Sequence, residues 1–173
     1  MRFSPEEKRL EITRDIFLLL CNTALYYNDL VGIESGSGFD PNLIKIDPEC
    51  MVLQGKRKKN GEEFWIPLNE TAKRIVKKYY CNDCGNIFPR EVAISEQKFN
   101  QHLKVLAKKI EFPDVLSNKV GRKTFGTWAD RLGMEDNYIR MIFGHSPGSV
   151  LKKYYTERRT LEAYQRILSY IQR

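Results

Sequence analysis

Lys119-Val120-Gly121-Arg122-Lys123-Thr124-Phe125-Gly126-Thr127, then Phe143-Gly144-His145-Ser146-Pro147, then Tyr154-Tyr155, follow one another in the C-terminal half of the chain. Their surroundings read as helices. One helix is predicted from about Lys119 to Leu132, with Gly133 stopping it, because glycine enters the left-handed conformation that ends helices. Glu135 to Phe143, Pro147 to Tyr155 and Thr160 to Gln172 follow as helices. Upstream, Ser95 caps a long helix to about Ile110, with Phe99, Leu103, Leu106 and Ile110 along one face. Asn69 caps another through Tyr80, with Ala72, Ile75, Val76 and Tyr79 as its buried side.

The first third of the chain supplies the remaining elements. Ser4-Pro5-Glu6-Glu7 is a helix start: Ser4 caps, Pro5 suits the first helical position and Glu7 closes a capping box. Ile12, Ile16, Leu19 and Leu20 carry that helix to about Thr23. Asn28 to Ile33 reads as a shorter helix and Glu34 to Gly38 as a flexible loop. Leu43 to Ile46 and Met51 to Gln54 are strand candidates. After a turn over Lys56 to Gly61, Glu63 to Ile66 runs back, giving a β-hairpin with Asn60-Gly61 at its tip. The fold class is mainly α with a small antiparallel β-sheet.

Composition bounds the function. At 173 residues, 42% hydrophobic and 29% charged, the chain is long enough for one domain with a core, so residues 1–173 are expected to form a single domain. Mean hydropathy is -0.50. No apolar run approaches the ~20 residues of a membrane span, and the N-terminus has no apolar leader. No membrane association and a cytoplasmic location are expected. Lys and Arg number 29 against 22 Asp and Glu, a formal +7. Such a balance suits a polyanionic partner or simply a solvated surface. Of four cysteines, Cys21 and Cys50 read as small core residues. Cys81 and Cys84 form a lone CxxC, which needs two further ligands to hold zinc. His102 is a candidate only with help from elsewhere, and no metal or cofactor is expected.

The ordered set resembles the catalytic domain of the tyrosine recombinases, the phage-integrase-like site-specific recombinases, and most of all the integrases of mobile elements. In that family a hairpin lysine precedes an Ile-Pro-Leu segment. His-x-x-Arg, Leu-Gly-His and a tyrosine nine residues beyond that histidine follow. Here Lys59 with Ile66-Pro67-Leu68, Lys119-x-x-Arg122, Phe143-Gly144-His145 and Tyr154 hold those places. The resemblance covers about Ser4 to Thr156. It implies the DNA breaking-rejoining fold and site-specific recombination or integration on double-stranded DNA. Strand cleavage and rejoining would pass through a 3′-phosphotyrosyl intermediate, with no cofactor and no external energy source.

The residue types suit that chemistry. A phosphorane transition state gathers negative charge on its non-bridging oxygens, and an arginine fork matches two of them. The resemblance makes Tyr154 the nucleophile, with Tyr155 as the alternative in register. Arg122 is the phosphate clamp, His145 a hydrogen-bond donor to the phosphate and Lys59 the general acid. Lys119 stands where the family most often has histidine, as base or phosphate contact. The glycine before His145 and the Ser-Pro after it put it at a helix start, where anions are favoured.

The sequence departs from the family at one place. Thr23-Ala24-Leu25-Tyr26-Tyr27-Asn28-Asp29-Leu30 matches a segment that carries the family's first catalytic arginine, and Tyr26 stands in its position. A phenol brings no positive charge. The alternatives are therefore another basic residue reaching in, a slow recombinase, or a catalytically impaired recombinase-like DNA-binding module. A third reading is a basic helical interaction domain whose CxxC holds zinc. Residues 157–173 read as a terminal amphipathic helix, with Leu161, Tyr164, Ile167, Leu168 and Ile171 on one face. In the family such a helix often docks on a neighbouring protomer, so a tetramer on DNA and a monomer in isolation are expected. The family's N-terminal DNA-wrapping domain is expected to be absent.

Overall fold

The computed structural model describes residues 4–31, 33–34, 38–39, 44–47, 52–57, 61, 63–80, 87–88, 94–144 and 161–172. Helix α1 spans Pro5–Thr23. Its start is the capping box read from the sequence: Ser4 Oγ accepts from the Glu7 amide at 3.2 Å, and Glu7 Oε2 accepts from the Ser4 amide at 2.7 Å. A short α2 follows at Tyr27–Val31. Strands β1 (Ile33–Glu34) and β2 (Gly38–Phe39) then pair antiparallel, where the sequence predicts a helix end and a loop.

The hairpin region is a three-stranded antiparallel sheet, β3 (Ile44–Asp47), β4 (Val52–Lys56) and β5 (Glu63–Pro67), in that spatial order. Leu53 pairs with Ile66 and Gly55 with Phe64. Leu53, Phe64, Ile66 and Leu68 are buried, so this sheet contributes one wall of the core.

Helices complete the other walls: α3 (Glu70–Tyr79), α4 (Glu96–Lys109), α5 (Asn118–Arg131), α6 (Asp136–Phe143) and α7 (Leu161–Ile171). Asn69 and Ser95 cap α3 and α4 as expected, each side chain accepting an amide hydrogen of the first turn. Gly133 turns the chain after α5 at φ 69, an angle that a side chain disfavours. α1 packs against α3, α4 and α5, while α6 and α7 lie on β5 of the same chain. At the centre are Leu19, Leu20, Leu25, Phe99, Leu103 and Phe125, with the Tyr27 ring stacked on Phe99 at 4.3 Å.

Three side chains differ from what their sequence suggests. Ile110, expected on the apolar face of α4, caps that helix and is 67% exposed, because the chain leaves the helical register there. Thr124, next to the buried Phe125 and so a natural packing candidate, is exposed. Cys21 is half-buried rather than a core residue, and burial still raises its thiol to about 11 against a hydrogen bond from Thr124, so it stays protonated at neutral pH. His102 Nδ1 lies 3.3 Å from the Thr13 hydroxyl. Cys50, Cys81, Cys84 and the helix expected over Pro147 to Tyr155 lie outside the described residues.

Candidate active site

Arg122 sits where α1, α5 and α6 meet, and the local sequence explains why. The residue before it is Gly121. A Cβ there would come within 2.8 Å of the Leu20 Cβ and 3.3 Å of the Leu20 carbonyl carbon. Glycine therefore lets α5 cross α1 at backbone contact, which sets Arg122 against the end of α1. That end is Ala24, in the left-handed conformation at φ 53, a geometry that costs an alanine about 1–2 kcal/mol. The turned backbone offers its carbonyl to Arg122, whose Nη1 donates to Ala24 O at 2.6 Å. Nη2 donates to Phe143 O at 2.9 Å. The guanidinium also has two aromatic neighbours, Tyr26 at 4.4 Å and Phe143 at 4.2 Å from ring centroid.

A second buried guanidinium comes from the hairpin. Arg57 follows β4 directly and is 3% exposed. Its Nη1 donates to Asp29 Oδ2 at 3.0 Å and its Nη2 to Ile142 O at 2.6 Å, with the Phe64 ring at 4.8 Å. The two arginines thus hold consecutive carbonyls at the C-terminal end of α6, where the helix dipole favours cations. Gly144 ends α6 at φ 61. A Cβ there would lie 3.1 Å from Arg57 Nε and 3.2 Å from its Cγ, so a side chain would push on the guanidinium.

The electrostatics are those of a site short of negative charge. Among the described residues, the buried charged side chains here are two cations, Arg57 and Arg122, and one anion, Asp29. Burial pushes Arg122 down to about 10, and the neighbouring Arg57 charge adds to that, against Tyr26 and Asp29. Burial likewise lowers Arg57, opposed by Asp29. Both stay charged at neutral pH, and an anion here would relieve their repulsion and desolvation.

Residues 1–161 match the model of the phage integrase family. The chain belongs to the phage integrase family. No curated protein matches it. Among solved structures it is similar to XerA recombinase, at 20% identity over 98% of this chain and 64% of that one, TM-score 0.61. The integrase from mycobacterium phage Brujita is similar at 16% identity over 99% and 58%, TM-score 0.65. A variant of the Tn1549 transposon integrase, in complex with a circular intermediate DNA, is similar at 18% over 98% and 65%, TM-score 0.59. At these identities the likeness is one of fold, and the chain spans 58 to 65% of the length of those three structures.

Within this phage integrase domain, Arg122 is buried and Lys119 is exposed, three residues earlier on α5 and so on the same side of that helix. Tyr26 is 42% exposed with its ring over Arg122, not a core residue. Lys59, His145, Tyr154 and Tyr155 lie outside the described residues; the described stretch 94–144 ends at Gly144, immediately before His145. Arg57 falls within the turn expected over Lys56 to Gly61, among four consecutive cations, and nothing there points to its burial. Alternation alone does not single it out: residues 53, 55 and 57 share one face of an extended strand, but Val52 on the other face is buried as well as Leu53.

Proposed function

We propose that this domain performs site-specific recombination by cutting and rejoining duplex DNA strands through a 3′-phosphotyrosyl intermediate. The observation that carries this reading is the burial of the Arg122 guanidinium at the end of α6, next to the segment that begins with His145. Arg122 grips the scissile phosphate and balances the charge that builds on its non-bridging oxygens. Tyr154 gives up its phenol proton to water, assisted by the surrounding cations, and attacks phosphorus; the 3′-phosphotyrosyl bond forms and the bond to the 5′-oxygen breaks. Lys59 hands that oxygen a proton. His145 donates to the phosphate, and Lys119 contacts it from the exposed side of α5. Rejoining is the same exchange with a new 5′-hydroxyl as attacker, so one bond energy is kept throughout and no nucleotide is consumed.

Double-stranded DNA is the substrate, and a tetramer on DNA is the working assembly. The formal +7 supports the first of these, since phosphate contacts dominate affinity for duplexes. The test is a nicked duplex carrying the end of the DNA element that encodes the chain. Once the short strand diffuses away, rejoining is blocked and the covalent complex accumulates. A denaturation-resistant adduct that disappears in Tyr154→Phe is the expected result.

A second reading is favoured by Tyr26. Its ring covers one face of Arg122 and contributes no charge. On that reading the domain binds DNA without cutting, and the same duplex is shifted in a gel but yields no adduct.

A further inference from the structure

We propose that Arg57 is the second guanidinium of the phosphate site, with its Nε–H as the donor left for a phosphate oxygen. This rests on the recombinase reading and deepens it. The family resemblance puts an arginine where this chain has Tyr26, and the phenol supplies a ring to Arg122 but no cation. Arg57 supplies a cation from a different element, the hairpin.

Four observations carry the assignment. First, Arg57 is almost wholly buried, which a guanidinium tolerates only with partners, yet its side-chain hydrogen-bond partners among the described residues are one carboxylate and one carbonyl. Second, its Nε is buried with no acceptor among the described residues. A buried donor left unmade is costly, and an incoming oxygen would satisfy it. Third, a Cβ on Gly144 would sit 3.1 Å from that nitrogen. Glycine leaves no side chain to crowd it, on the residue directly preceding His145. Fourth, Arg57 and Arg122 are bound to neighbouring carbonyls, close enough for the charge of one to depress the other. Two desolvated cations, with one buried carboxylate beside them among the described residues and paired to Arg57 alone, are poised for an anion. They gain most when that anion acquires further charge, as a phosphorane does.

A purely structural role, holding Asp29 and the end of α6, makes different forecasts. The full chain is assayed for adduct formation on two nicked duplexes. One has an ordinary scissile phosphate. The other has a methylphosphonate, in which a methyl group replaces a charged non-bridging oxygen. Arg57→Met is expected to slow adduct formation on the phosphate duplex by about 10²–10³-fold. On the neutral methylphosphonate the slowing is expected to be about tenfold or less, because little charge remains to be balanced. Adding Tyr26→Arg to Arg57→Met is expected to restore cleavage, whereas Tyr26→Arg alone adds a third cation and brings no gain. Arg57→Lys keeps the charge and the pairing with Asp29, so it folds if Arg57→Met does not. It lacks the Nε–H and is expected to lose about tenfold.

Equal slowing on both duplexes without rescue by Tyr26→Arg overturns the assignment, as does an Arg57→Lys chain as fast as the parent. No adduct from the parent chain overturns the recombinase reading itself, and Arg57's role with it. A parent adduct that Arg57→Met leaves intact removes Arg57 alone.

Discussion

Arg57 and Arg122 donate to successive carbonyl oxygens, those of Ile142 at 2.6 Å and Phe143 at 2.9 Å, so the last turn of α6 fixes two cations from opposite halves of the chain. In the sequence, Gly144 and His145 come directly after the two carbonyl residues that fix them. Any shift of α6 therefore moves both guanidiniums together. The site's charge geometry is a property of one helix end, reached by a hairpin residue on one side and by α5 on the other.

Close packing at Gly121 positions Arg122. Gly121→Ala introduces a Cβ 2.8 Å from the Leu20 Cβ and 3.3 Å from backbone, neither of which is a flexible tip. The two helices must part by a few tenths of an ångström. Urea unfolding is expected to show a loss of about 1–3 kcal/mol. Adduct formation at a urea-free, fully folded temperature is expected to fall as well, because Arg122 moves away from Ala24 O.

The Arg57–Asp29 pair is 3.0 Å long with both side chains 3% exposed. Asp29→Ala leaves the guanidinium buried beside another cation with no carboxylate. Breaking one partner of such a pair costs about 3–5 kcal/mol. Chemical denaturation of Asp29→Ala against the parent checks this, and a change under about 1 kcal/mol contradicts the buried pairing.

Tyr26 contributes through its ring. Tyr26→Phe keeps the face over Arg122 and is expected to unfold at the same denaturant concentration as the parent. Tyr26→Ala is expected to lose about 0.5–2 kcal/mol, the range for a cation over an aromatic face. Equal losses in the two variants would assign the effect to the hydroxyl.

Acid stability turns on Asp15, away from the site. Its carboxylate accepts from Arg14, Lys78 and Tyr79 at 2.6 to 2.8 Å. Burial pushes this carboxyl up, but the hydrogen bonds from Lys78, Tyr79 and Arg14 together outweigh it, and the net shift is downward. A carboxyl with a lowered folded value adds stability in full above its unfolded value of about 3.9 and loses it as pH falls through the folded value. Stability measured from pH 6 down to pH 2 is expected to drop in the parent and to drop less steeply in Asp15→Asn.

Much of the fold was legible in local signals. The capping box at Ser4 and Glu7, the caps at Asn69 and Ser95, and the stop at Gly133 are backbone chemistry that neighbouring residues decide alone. The β1–β2 pair was not legible, since two-residue strands carry no periodicity to read. Arg122 was found because its neighbours form a recognisable word. Arg57 was not, because its burial depends on Asp29 and on the end of α6, partners far away in the sequence. A run of four cations looks solvated until tertiary structure turns one of them inward.

The most direct measurement is the chemical identity of the protein–DNA bond. The covalent complex from the nicked duplex is digested with protease and nuclease, and the modified peptide is sequenced by mass spectrometry. The account expects a nucleotide joined through its 3′-phosphate to the phenol of Tyr154. A 5′-phosphate linkage, attachment to any side chain other than the Tyr154-Tyr155 pair, or no covalent product from a duplex that the chain demonstrably binds would contradict it.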